Sequence, residues 1–105
     1  MLTRIVKLTF NVEDISKFEK IFSQTSSFIQ DFKGCNSLEL LQDTTNPNIF
    51  FTYSQWASEE DLARYRNSDF FKKVWSQTKT MFSAKPEAWS VNKKTPLPKD
   101  AISNA

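Results

Sequence analysis

The chain has 105 residues, enough for one domain that buries about two-thirds of its unfolded surface, and its ten phenylalanines dictate a bulky core. It has no histidine, one cysteine and one glycine, which excludes His-activated nucleophiles, His- or Cys-built zinc sites, a proximal-His haem and Gly-rich phosphate loops. The net charge of +2, with both signs interspersed, leaves no nucleic-acid footprint, and the lone Cys35 fits a reducing compartment.

The opening segment MLTRIVKLTF carries Arg4 and Lys7 inside an apolar run and has no small-residue cleavage site. It therefore reads as neither a signal peptide nor a membrane span, and a cytoplasmic protein is expected. Residues 2–10 read as a strand, because Val6, Leu8 and Phe10 alternate with Lys7 and Thr9, and Ile5 adds apolar surface to the other face. Asn11, followed by Glu13 and Asp14, is placed to cap a helix reaching about residue 33. Along it Ile15, Phe18, Ile21, Phe22, Thr25, Phe28, Ile29 and Phe32 recur at three- and four-residue spacing, the stripe of a core helix. Gly34 supplies the left-handed stop. A second strand spans 35–42, where Leu38 and Leu40 alternate against Glu39, and the polar segment 43–48 turns the chain into a hairpin.

The third strand runs to Trp56, and its residues 49–53 are apolar or β-branched on both faces, as in a strand buried on both sides. Ser58 caps a short helix whose first turn holds Glu59, Glu60 and Asp61. Asn67-Ser68 interrupts it and Ser68-Asp69 recaps, after which Phe71, Val74, Trp75, Thr78 and Phe82 continue an apolar face to about residue 83. Beyond Pro86, residues 87–92 read as a short edge strand with Trp89 and Val91 at alternate positions. Residues 1–93 thus form one domain, and 94–105, with Pro96 and Pro98 and no periodicity, a mobile tail.

The order β-α-β-β-α-β predicts a ferredoxin-like α+β fold, a four-stranded antiparallel sheet with both helices on one face. One helical layer covers only one sheet face, so the apolar third strand predicts a second copy against the other, a homodimer built face to face. RNA-recognition domains share this order. Their third strand wants glycines and a basic residue between its aromatics, and residues 48–53 have neither, so no nucleic-acid partner is expected.

Four features in register resemble the antibiotic biosynthesis monooxygenase (ABM) domain, a dimeric α+β barrel, over residues 2–93. They are the strand–helix opening from Ile5 to Phe18, the Gly34-Cys35 step, the strand ending Tyr53-Ser54-Gln55-Trp56, and Leu62-Ala63-Arg64-Tyr65 leading to Ser68-Asp69-Phe70-Phe71. The family includes cofactor-independent oxygenases of quinols and anthrones, haem-degrading enzymes and a signalling-sugar isomerase. Its haem-degrading branch uses an asparagine and a histidine where this chain has Val6 and Trp75, which argues against haem degradation. The resemblance implies a cofactor-independent monooxygenase acting on a small aromatic, quinol- or anthrone-like substrate. A non-catalytic binder of such molecules is the alternative on the same scaffold.

The resemblance places Trp56 at the family's strand-end tryptophan and Tyr65 where many members have a histidine. Trp56 reads either as a core residue closing the sheet end or as a cavity wall and hydrogen-bond donor. Tyr65 reads either as an amphipathic helix residue with a wetted hydroxyl or as a catalytic phenol. Phe10, Phe71 and Trp75 complete the expected substrate-binding set, although the helical spacing of Trp75 also suits plain core. Arg64 and Arg66 flank Tyr65 and are solvated or available to an acidic substrate. No metal, cofactor or membrane is expected, and no residue stands out as a general base.

Overall fold

The computed structural model describes residues 1–94. Four strands, β1 (Leu2–Thr9), β2 (Cys35–Gln42), β3 (Ile49–Trp56) and β4 (Glu87–Val91), form one antiparallel sheet in the order β2-β3-β1-β4. Three helices, α1 (Ile15–Gln30), α2 (Glu59–Arg66) and α3 (Asp69–Thr78), supply its apolar cover. The expected four-stranded sheet with helices on one face is present. Among the described residues no helix is long and apolar enough to cross a membrane. The expected tail lies, apart from Lys94, outside the described residues.

Helix boundaries follow the caps closely. Ser58 Oγ accepts the Asp61 N–H at 3.1 Å, and Ser68 Oγ accepts the Phe71 N–H at 3.1 Å, so α2 and α3 are separate helices with their own N-caps. Asn11 behaves differently from expectation. Its side chain caps no helix; its amide donates to the Met81 carbonyl at 3.1 Å, tying the end of β1 to the end of the helical layer, while a 3₁₀ turn at Val12–Asp14 leads into α1. α1 ends at Gln30, three residues before the expected stop, because the chain bends before Gly34, which takes φ +88°. The Asp43 carboxylate accepts the Thr45 and Asn46 N–H groups at 3.0 and 2.7 Å, fixing the hairpin turn between β2 and β3.

The core divides into two clusters. At one end Phe10, fully buried, stacks on Phe18 at 4.2 Å and packs with Leu8, Phe50 and Met81. At the other, Leu2, Trp56 and Leu62 pack with Phe32, Cys35 and Tyr65. Each fully buried large side chain is worth about 1.5–3 kcal/mol. Phe28, part of the α1 stripe, falls at its edge and is 59% exposed, resting against Phe70.

Strand register decides what each sheet face carries. Leu2 pairs with Trp56, Arg4 with Ser54, Val6 with Thr52 and Leu8 with Phe50, all on the helix-covered face. The intervening residues Ile5, Phe51, Tyr53, Leu41, Trp89 and Val91 lie on the opposite face. No helix covers them, and Leu41, Trp89 and Val91 are more than two-fifths exposed. Within the single chain, therefore, β3 is buried on one face only; its outward residues Ile49, Phe51 and Tyr53 are half-buried.

Candidate functional site

The two core clusters do not merge. Between them, on the helix-covered face, the sheet carries a polar row: Ser54 on β3 stands opposite Arg4 on β1, which stands opposite Ser90 on β4. Thr52 occupies the next inward position of β3. Polar side chains at inward positions cannot close an apolar core, and a cavity of about 260 Å³ lies there, under α1, α2 and α3. This volume is close to the lower end of the ~300–1,000 Å³ typical of small-molecule sites.

One wall is a run of aromatic rings. Trp56 stacks on Tyr65 at 5.1 Å, Tyr65 meets Phe71 edge-on at 5.0 Å, and Phe71 stacks on Trp75 at 5.8 Å. The caps explain the arrangement. Ser58 starts α2 immediately after Trp56, setting Tyr65 near its end, and Ser68 starts α3 so that Phe71 and Trp75 follow one turn apart on the same face. Val6, Ile21, Phe22, Val74 and Thr78 supply further lining.

Four of the five residues singled out in the sequence, Trp56, Tyr65, Phe71 and Trp75, thus meet around one space. The fifth, Phe10, does not line it; its ring is enclosed among Phe18, Phe50 and Phe82. Trp56 is a buried residue that also lines the cavity, and its N–H is taken up within the protein instead of being left to donate to a substrate. It is 1% exposed, and its indole N–H donates to the Ser54 hydroxyl at 3.0 Å rather than to a carbonyl. Ser54 Oγ accepts this bond and keeps its own O–H free to donate, and the residue lines the cavity.

Tyr65 makes no side-chain hydrogen bond among the described residues, and burial, with a smaller contribution from Cys35, pushes its hydroxyl pKa well above the usual value of 10.0. The phenol is thus a proton-bearing donor at any physiological pH and not a base. Burial also pushes the Cys35 thiol up, in keeping with a packing role. Glu87 is the one carboxylate residue of the lining, and it faces Lys7 at 3.9 Å. No cluster of three His, Cys, Asp or Glu side chains able to hold a metal occurs among the described residues.

Ser54, Thr52 and Arg4 were not recognised as site residues from sequence, although the signal was present. Each is a polar residue at an inward position of an otherwise apolar strand face. Arg66, weighed with Arg64, separates from it: Arg64 pairs with Asp61 at 2.6 Å, whereas Arg66 lines the cavity.

No curated protein matches the sequence significantly. The fold recurs in solved structures. A conserved protein from Methanosarcina mazei superposes with a TM-score of 0.84 at 22% identity, over 90% of this chain and 94% of that one. A structure described as an antibiotic biosynthesis monooxygenase gives 0.85 at 14% identity, over 90% and 100%. A mutant of SnoaB, a cofactor-independent oxygenase from Streptomyces nogalater, gives 0.81 at 17% identity, over 93% and 97%. At these identities the likeness speaks for the fold. The family model for antibiotic biosynthesis monooxygenase matches residues 1–76, from β1 through most of α3, and the chain belongs to that family.

Proposed function

We propose that this protein is a cofactor-independent monooxygenase that oxidises a small quinol- or anthrone-like substrate in the cavity between the sheet and the helices. The observation that carries the reading is Tyr65: a partly buried phenol without a side-chain hydrogen-bond partner among the described residues, in an aromatic-walled cavity that Ser54 also lines. Such donors stabilise a substrate oxyanion in a site with little water. Trp56 acts by holding Ser54 and forming the wall. Phe71 and Trp75 clamp the ring system.

The chemistry belongs largely to the substrate. Its anion passes one electron to dioxygen, and the two radicals combine at the ring carbon as a peroxide. Loss of water then leaves a new carbonyl. For an anthrone, the methylene carbon becomes C=O, one oxygen atom is retained, and the other leaves as water with the two methylene hydrogens. With Tyr65 protonated and Glu87 facing Lys7, the lining offers no general base, so the substrate must ionise with help from the donors and the local positive charge.

The working unit is a homodimer whose sheets pack face to face, covering Ile5, Leu41, Phe51, Tyr53, Trp89 and Val91. Oxygen-electrode assays with an anthrone and quinol panel test the activity. Turnover of one dioxygen per substrate is expected, with Tyr65→Phe lowering kcat by about 10²-fold, the usual cost of losing one oxyanion donor. Binding of the same compounds without oxygen uptake would make the protein a non-catalytic aromatic binder, the reading favoured by the missing base.

A further inference from the structure

We infer that the cavity selects an aromatic acid, its rings lying along the Trp56–Tyr65–Phe71–Trp75 wall and its carboxylate received between Arg4 and Arg66. The inference rests on the aromatic-substrate reading above and adds the charge that the substrate must carry.

Arg4 occupies an inward position on a central strand whose other inward residues are Leu2, Val6 and Leu8. A half-buried guanidinium there loses hydration that only an anion fully restores. Its side-chain partner is the neutral Ser90 hydroxyl, at 2.9 Å. Arg66 reaches the same cavity from the last turn of α2. Among the described residues neither guanidinium has a carboxylate within 4.0 Å, although Arg64, two residues before Arg66, is paired with Asp61 at 2.6 Å. Burial, and secondarily the nearby positive charge of Arg66, hold Arg4 below the usual arginine pKa. Two like charges thus converge on a largely apolar space whose one lining carboxylate residue, Glu87, faces Lys7 rather than either guanidinium. A carboxylate placed between them removes the repulsion and gains charge-assisted hydrogen bonds, and its planar geometry matches the guanidinium fork.

The test is a titration of the purified protein with naphthoate and with methyl naphthoate, followed by quenching of the cavity tryptophans. Naphthoate binds at least about tenfold tighter than the ester, and added salt narrows the gap. Arg66→Gln, at an exposed position, weakens naphthoate about tenfold and leaves the ester unchanged. Arg4→Gln does the same, and Arg4→Lys, which keeps the charge, recovers part of the loss. Equal affinity for acid and ester, or an acid preference untouched in Arg66→Gln, would overturn the inference while leaving the aromatic cavity standing. Failure of both compounds to bind would remove the inference and the substrate reading together. If Arg4→Gln does not fold, the Arg66 and salt arms still decide.

Discussion

Replacing Ser54 by alanine tests the element on which the cavity wall depends. Ser54 and Trp56 are 6% and 1% exposed, and the indole N–H donates to the serine hydroxyl at 3.0 Å. The substitution removes the acceptor and leaves a buried N–H with no protein partner, a cost of about 1–3 kcal/mol. For a domain of this size each kcal/mol lowers Tm by roughly 4–8 °C. Trp56→Phe removes the donor instead, with its own packing penalty. In that background no N–H is left to orphan, so Ser54→Ala becomes nearly neutral, and a coupling energy of about 1–2 kcal/mol is expected. Equilibrium urea unfolding of the four proteins, with unchanged m-values, measures it. If Ser54→Ala costs the same in both backgrounds, to within about 0.5 kcal/mol, the bond does not anchor Trp56 and the wall is held by packing alone.

Gly34→Ala places a residue at φ +88° and drives its Cβ into the Asp61 side chain of α2, including the Cβ, which cannot swing aside. The left-handed penalty of ~1–2 kcal/mol and an overpacking cost of ~1–3 kcal/mol should add, and a measured loss below about 1 kcal/mol would contradict both terms. Tyr65 has a folded pKa raised above its unfolded value of 10.0, so the stability it contributes is intact below about pH 10 and declines as pH rises toward the folded value, by up to ~1.4 kcal/mol per pH unit. Denaturation of the wild type and Tyr65→Phe between about pH 9 and 11.5 should show this extra decline in the wild type only. Phe51→Lys, on the uncovered sheet face, should convert a dimer to monomer by light scattering without abolishing naphthoate binding; a wild type that is monomeric at micromolar concentration would refute the dimer.

Much of the fold was legible because its signals are local. The α1 stripe, the two serine caps and Gly34 each act within one or two turns, and each appears where its residue type demands. The limits of that reading are also physical. Asn11 looks like a cap in sequence, but its amide finds the Met81 carbonyl, 70 positions away, a contact that spacing cannot reveal. Phe28 fits the α1 period, yet it lies at the edge of the stripe, largely exposed, with its ring against Phe70. Phe10, expected in the substrate-binding set, is instead enclosed by Phe18, Phe50 and Phe82 in the adjoining core cluster. The site was half legible: its aromatic residues declared themselves by size, whereas Ser54, Thr52 and Arg4 required the strand parity to be followed inward.

That parity also separates the two roles given to the sheet. On β3, Tyr53 and Gln55 point outward while Thr52, Ser54 and Trp56 point inward; on β1, Ile5 points outward between Arg4 and Val6. Residues of the uncovered face, proposed for self-association, and residues lining the cavity, proposed for ligand binding, are therefore interleaved one by one along the same two strands, with the sheet itself between them. A slip of one residue in β3 against β1 would turn the β3 set over, burying Tyr53 and exposing Ser54 and Trp56, while Arg4 stayed inward without its partners. The Trp56–Ser54 bond cannot be formed with the indole in solvent at comparable strength, and the Phe10–Phe50 contact would be lost as well. The inward polar row weakens the core at its middle, but the large aromatics at either end, Phe50 and Trp56, hold the register that keeps Ser54 opposite Arg4.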